Sequence, residues 1–171
     1  FIENTAVGDV DSDGAVEFLI SLEGFPSRVI ILKATADTFK MIGNLTGEGG
    51  NARVAGAFDL DRDGLPEVVL HDDGYSLDKR FYVFENDSLI FQDKLQSSVS
   101  VGDTDGNGWG EIIGLENGTR NLRILESVGE ENFFREVFNA PGERYRPRTV
   151  DIGGDGQMAF WRTREDRFGV F

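Results

Sequence analysis

A chain of 171 residues is long enough to bury a core of its own, and 39% apolar residues with 11% aromatic is a globular composition rather than a disordered one. A formal net charge of −14 argues against nucleic acid, because phosphate binding needs a cationic surface that releases counterions, and it disfavours anionic membrane surfaces for the same reason. There is no cysteine, so disulfides and thiol chemistry are out, and no apolar run approaches the roughly 18 residues that insert across a bilayer.

Twenty-two glycines and short runs of Val, Ile, Leu and Phe point to an all-β chain with many turns. In chain order, strands are expected over 5–8, 16–22, 28–33 and 38–42. A second set follows over 53–58, 67–71, 81–85 and 89–92, and a third over 98–102, 111–115, 122–126 and 133–138. The last set is 148–152, 158–162 and 168–171, with no fourth strand. Polar or Gly-rich turns separate the sets, so the units read as 1–48, 49–95, 96–144 and 145–171.

Between the first two strands of each unit runs the same acidic phrase: GDVDSDGAVEFLI from Gly8, FDLDRDGLPEVVL from Phe58, GDTDGNGWGEIIG from Gly102 and a worn VDIGGDGQMAFW from Val150. Their first acids, Asp9, Asp59, Asp103 and Asp151, are 50, 44 and 48 residues apart, a period that suits four strands and their turns in propellers or arrays.

A loop with carboxylates at positions 1, 3 and 5, a backbone carbonyl at 7 and a closing acid can wrap one calcium ion in hard oxygen ligands. The first loop offers Asp9, Asp11, Asp13, the carbonyl of Ala15 and Glu17. The second offers Asp59, Asp61, Asp63, the carbonyl of Leu65 and Glu67, and the third Asp103, Asp105, Asn107, the carbonyl of Trp109 and Glu111. Glycine at position 6 (Gly14, Gly64, Gly108) suits a turn that needs positive φ. Asn107 in place of an acid removes one charge, so the third loop is expected to bind more weakly. The fourth keeps Asp151 and Asp155 but has Gly153 and Ala159 at positions 3 and 9, and is expected to be empty or weakly filled. Three divalent ions would bring the charge balance from −14 to −8, an ordinary surface.

One isolated copy would read equally well as an acidic surface turn. Three copies with the same downstream Glu favour the metal reading, and an EF-hand is excluded because position 12 is Ile20, Leu70 and Gly114 where a bidentate acid is needed.

On these loops and their period the chain resembles the FG-GAP or VCBS repeat family, over essentially its whole length. The resemblance implies β-propeller blades, three complete and four-stranded plus a partial fourth, with calcium between the first two strands of a blade. It implies part of a larger propeller, or one closed by another chain. The Phe-Gly and Gly-Ala-Pro signatures of the family's integrin members are missing, which points to a bacterial or archaeal VCBS-like variant.

No catalytic constellation is recognisable. The single histidine, His71, beside Asp72 and Asp73, reads as a surface residue, and the spaced carboxylates are already assigned to the loops. Phe18, Phe84, Trp109, Phe138 and Trp161 read as blade packing, with Trp109 a ligand candidate should its ring be exposed. The function expected is an extracellular or cell-surface scaffold for a protein or glycan ligand, stabilised by calcium. The alternatives are the propeller part of a carbohydrate-active enzyme such as a polysaccharide lyase, and a subunit of a cell-surface assembly.

Overall fold

The computed structural model describes residues 2–24, 27–46, 52–72, 81–85, 88–93, 95–116, 118–129, 134–141, 146–150, 159–164 and 167–170, and no helix occurs among them. The first sheet is β1 (Ile2–Gly8), β2 (Glu17–Leu22), β3 (Arg28–Ala34) and β4 (Phe39–Thr46). The second is β5 (Ala52–Phe58), β6 (Glu67–Asp72), β7 (Phe81–Glu85) and β8 (Ser88–Asp93). The third is β9 (Leu95–Gly102), β10 (Glu111–Glu116), β11 (Leu122–Ser127) and β12 (Phe134–Ala140). The fourth is β13 (Arg146–Val150), β14 (Ala159–Arg164) and β15 (Arg167–Val170). Each sheet is an antiparallel meander in sequence order.

Sheets stack through their first strands: β1 lies against β5, β5 against β9, and β9 against β13. Side-chain alternation builds the two layers between them. Val68 and Leu70 of β6, with Val54 of β5, face the first sheet, where they meet Leu19, Val29, Ile31 and Leu45. Val69 points the other way, into Leu60, Leu95, Val99, Val101, Ile112 and Leu125. A strand buried on both faces carries apolar residues on both, which is why β6 follows its opening glutamate with an unbroken Val68-Val69-Leu70 and β10 with Ile112-Ile113. Ile113, Leu115 and Leu122 form a third, smaller cluster on the far face of the third sheet.

His71 is the last residue but one of this doubly covered strand and is only 4% exposed, so the expected surface histidine is a buried one. The sequence marked the strand's end by its flanking acids, whereas burial there is set by the sheets on either side.

A register shift between Val54 and Gly56 disturbs the β5–β6 ladder. The first sheet supplies partners there: Val54 N–H donates to Ser21 Oγ at 2.8 Å, and Asn4 Nδ2 donates to the Val54 carbonyl at 2.7 Å. Gly56 passes so close to Val101 that a Cβ would lie 2.6 Å from its methyl. Polar stitching and a glycine approach thus fix the first sheet on the second and the second on the third.

The outer strands are wet. β4 and β12 are exposed along most of their length, and Phe138, expected to pack, is 45% exposed because β12 is an edge. Phe18 stacks edge-to-face on Phe39 at 5.5 Å, on the face of the first sheet turned away from the second. Phe18, Phe39 and Met41 are exposed on this sheet, as is Val16 just before β2. Among the described residues no contact joins β13, β14 or β15 to the first sheet, so the stack is an open row.

Candidate metal centre

Each acidic loop joins the first two strands of its sheet, β1 to β2, β5 to β6 and β9 to β10, so all three lie at corresponding places. Their backbones repeat one path. Position 6 has positive φ in every copy (Gly14 85°, Gly64 90°, Gly108 83°), as the glycines require, and so does position 4 (Ser12 56°, Arg62 67°, Gly106 74°). Only the first of these was readable from residue type.

The acids hold the path by accepting backbone donors. The position 1 carboxylate accepts the N–H of position 6: Gly14 to Asp9 at 2.8 Å, Gly64 to Asp59 at 3.1 Å and Gly108 to Asp103 at 2.8 Å. Position 5 accepts the N–H of position 7: Ala15 to Asp13 at 3.0 Å, Leu65 to Asp63 at 2.7 Å and Trp109 to Asn107 at 2.7 Å. The closing glutamate, first residue of β2, β6 or β10, accepts the N–H of position 2: Val10 to Glu17 at 3.0 Å, Leu60 to Glu67 at 2.6 Å and Thr104 to Glu111 at 2.5 Å.

Those glutamates are 0%, 3% and 1% exposed, unusual for a charged side chain. Buried acceptors are left over: Asp59 Oδ1 and Glu111 Oε1 receive no hydrogen bond, and Glu17 Oε1 receives none but has Lys33 Nζ at 3.6 Å. Burial pushes the Glu111 carboxyl up from its ordinary range, and the neighbouring Asp105 and Asp103 add to the effect. An oxygen that is desolvated, anionic and without a donor is what a cation ligand needs, so the residues present fit a hard metal ion.

Among the described residues, three carboxylate triplets could hold such an ion, each with one oxygen per residue within 4.8 Å of the others: Asp9, Asp11 and Asp13; Asp59, Asp61 and Glu67; Asp103, Asp105 and Glu111. The second and third use positions 1, 3 and 9, whereas the first uses 1, 3 and 5. Glu17 and Asp63 do not join these triplets. Asn107 spends its oxygen on Trp109 N–H and turns its amide nitrogen to Asp105 at 3.0 Å and Glu126 at 2.8 Å. It therefore offers donors, not a ligand oxygen, on that side. Asp151, Gly153 and Asp155 of the fourth loop lie outside the described residues, as do the side chains of Phe84, Ala159 and Trp161.

Two features were invisible in the motif. Successive loops clasp one another: Ser12 Oγ of the first donates to the Gly64 carbonyl of the second at 2.7 Å, and Arg62 of the second donates to the Gly108 and Asn107 carbonyls of the third. The same guanidinium lies over the Trp109 ring, 3.9 Å from its centroid. Trp109 is thus half-buried and already engaged on one face.

The second feature is a residue from the third strand of each sheet. Phe18 pairs with Leu32, so Lys33 stands one step on, across from Glu17, and its Nζ reaches Asp11 at 2.5 Å and Asp13 at 2.6 Å. In the third sheet Glu126 is opposite Glu111, and in the second, where Val68 pairs with Phe84, the next residue is Glu85. Strand register, not motif spacing, chooses these residues.

No family model matches the chain, and no curated protein matches it.

Proposed function

We propose that the chain is a run of calcium-binding propeller blades of the FG-GAP or VCBS type, serving as an extracellular or cell-surface scaffold for a protein or glycan ligand. The observation that carries the metal reading is the recurrence, in the equivalent second and third loops, of a buried glutamate that closes a carboxylate cluster. Calcium is the ion best suited to flexible all-oxygen clusters built from carboxylates and backbone carbonyls. An extracellular setting agrees with it, since binding modules there work at 10⁻⁴–10⁻³ M calcium, which demands no great affinity.

The propeller reading is supported by meandering sheets that stack through their first strands and leave the fourth strands exposed. The uncovered apolar residues of the first sheet suit a further blade on that side, from this protein or another. The ion's role in this reading is structural. It neutralises buried carboxylates and fixes the loops that line one side of the stack, leaving ligand recognition to that surface.

The test is a thermal melt of the chain in millimolar calcium and in excess chelator. An ion bound at 100 times its Kd stabilises by about 2.7 kcal/mol, and a chain of this size shifts by about 2–4 °C per kcal/mol. Chelation is expected to lower Tm by about 5–10 °C for each ion lost, and Asp59→Asn to reproduce one ion's share. A melt that ignores both calcium and chelator overturns the reading.

A further inference from the structure

We infer that the Lys33 ammonium is the resident cation of the first loop: it stands where a metal ion would bind, so that metal loads the second and third loops and is kept out of the first. The inference rests on the metal reading above for those two loops and assigns the first a different occupant.

The geometry of the ammonium is that of a cation in its site. Nζ lies 2.5 Å from Asp11, 2.6 Å from Asp13 and 3.6 Å from Glu17, so it touches the acids of positions 3, 5 and 9 at once. The buried Glu17 oxygen that faces it has no hydrogen-bond donor; the equivalent oxygen of Glu111 has neither donor nor ammonium. Asp9, the remaining acid, has its two oxygens turned to the N–H groups of Asp13 and Gly14. In the second loop, Asp59 keeps a buried oxygen with no donor.

The contrast across the repeat is what makes Lys33 specific. The ladder position of Lys33 is held by Glu126 in the third sheet and, by backbone register, by Glu85 in the second, so the residue type there is a lysine once and a glutamate twice. The carboxylate triplets follow suit: the two loops without the lysine gather positions 1, 3 and 9, and the loop with it is drawn together at 1, 3 and 5. A divalent ion entering the first loop must evict a like charge that is tethered to the adjoining strand. The tether gives that charge an effective concentration in the millimolar range or above, which no change of buffer removes.

Equilibrium dialysis of the whole chain against calcium, counting ions per chain, decides the matter. Asp9→Asn is expected to leave the wild-type count unchanged, Lys33→Gln to raise it by one, and the double variant to return it to the wild-type value. A wild-type count that falls with Asp9→Asn means that the first loop is already loaded, which overturns the role of Lys33 and leaves the metal reading standing. A count that does not rise in folded Lys33→Gln overturns it too. A wild-type chain that binds no calcium overturns the metal reading itself. Should Lys33→Gln fail to fold, Asp9→Asn in the wild-type background decides alone.

Discussion

Replacing Glu111 by Gln should raise stability without metal and lose that advantage with it. Without an ion, the wild-type carboxylate is 1% exposed, its Oε2 accepts from Thr104 N–H and Oγ1, and its Oε1 has no donor. An unsatisfied buried acceptor costs about 1–3 kcal/mol, more when charged. Glutamine keeps one accepting oxygen for Thr104 and turns an amide toward Asp103 and Asp105. In chelator, Glu111→Gln should therefore raise Tm by about 2–12 °C, at about 2–4 °C per kcal/mol. In millimolar calcium the wild type gains about 2.7 kcal/mol from an ion at 100 times its Kd that the variant no longer holds well, which cancels or reverses an advantage of about 1–3 kcal/mol.

The pH dependence follows from the raised pKa. A carboxyl that keeps its proton more firmly in the folded state than in the unfolded one favours folding at low pH. That contribution is complete below the ordinary value of 4.5 and lost as pH rises through the higher folded value. In chelator the advantage of Glu111→Gln should thus be smallest below pH 4.5 and grow toward neutrality. Scanning calorimetry from pH 4 to 7.5, with and without calcium, reads it directly. A variant destabilised as much in chelator as in calcium would show that Glu111 is a structural hydrogen-bond acceptor and nothing more.

Arg62→Ala removes the stacking on Trp109 and the two carbonyl contacts, and should cost about 1–2 kcal/mol in denaturant unfolding, with Trp emission shifted to longer wavelength. Because Arg62 sits at positive φ, Arg62→Gly should lose the same clasp yet be about 1 kcal/mol more stable than the alanine variant; equality of the two would refute the strained backbone. Gly56→Ala should cost about 1–3 kcal/mol by forcing Val101 aside. Val101→Ala added to it should give a double variant less destabilised than the sum, and strict additivity would place the two apart. Leu19→Ala, at 0% exposure between the first two sheets, should lower stability by about 2–5 kcal/mol.

The strands were readable because each carries a local signal, and β7 over 81–85 falls where its Phe-Tyr-Val-Phe run put it. β4 extends to Thr46, beyond the expected 42, because Gly43 and Asn44 look like breakers in isolation while Ile31 and Ile30 of β3 pair with them. The acids of the loops were equally legible, since their spacing is within one turn of chain. What was not legible came from elsewhere. Lys33 lies 16 residues beyond Glu17 and reaches its loop only through the β2–β3 register. Glu126 does the same for Asn107, whose side chain has two ends that residue type alone cannot orient. His71 was misplaced because burial on both faces of β6 depends on neighbours a whole sheet away.

The bend at position 4 has a meaning of its own. Gly106 makes it with no steric penalty, whereas a side chain there, as at Ser12 and Arg62, costs about 1–2 kcal/mol. The two loops that accept the cost are the two whose side chains prop the turn of the loop after them; the loop with glycine has nothing to extend. Conformational strain in this chain is therefore a sign of communication, and it points one way, from each loop to its successor. A fault in one loop takes away the prop of the loop after it, so damage in the row should travel forward along the sequence.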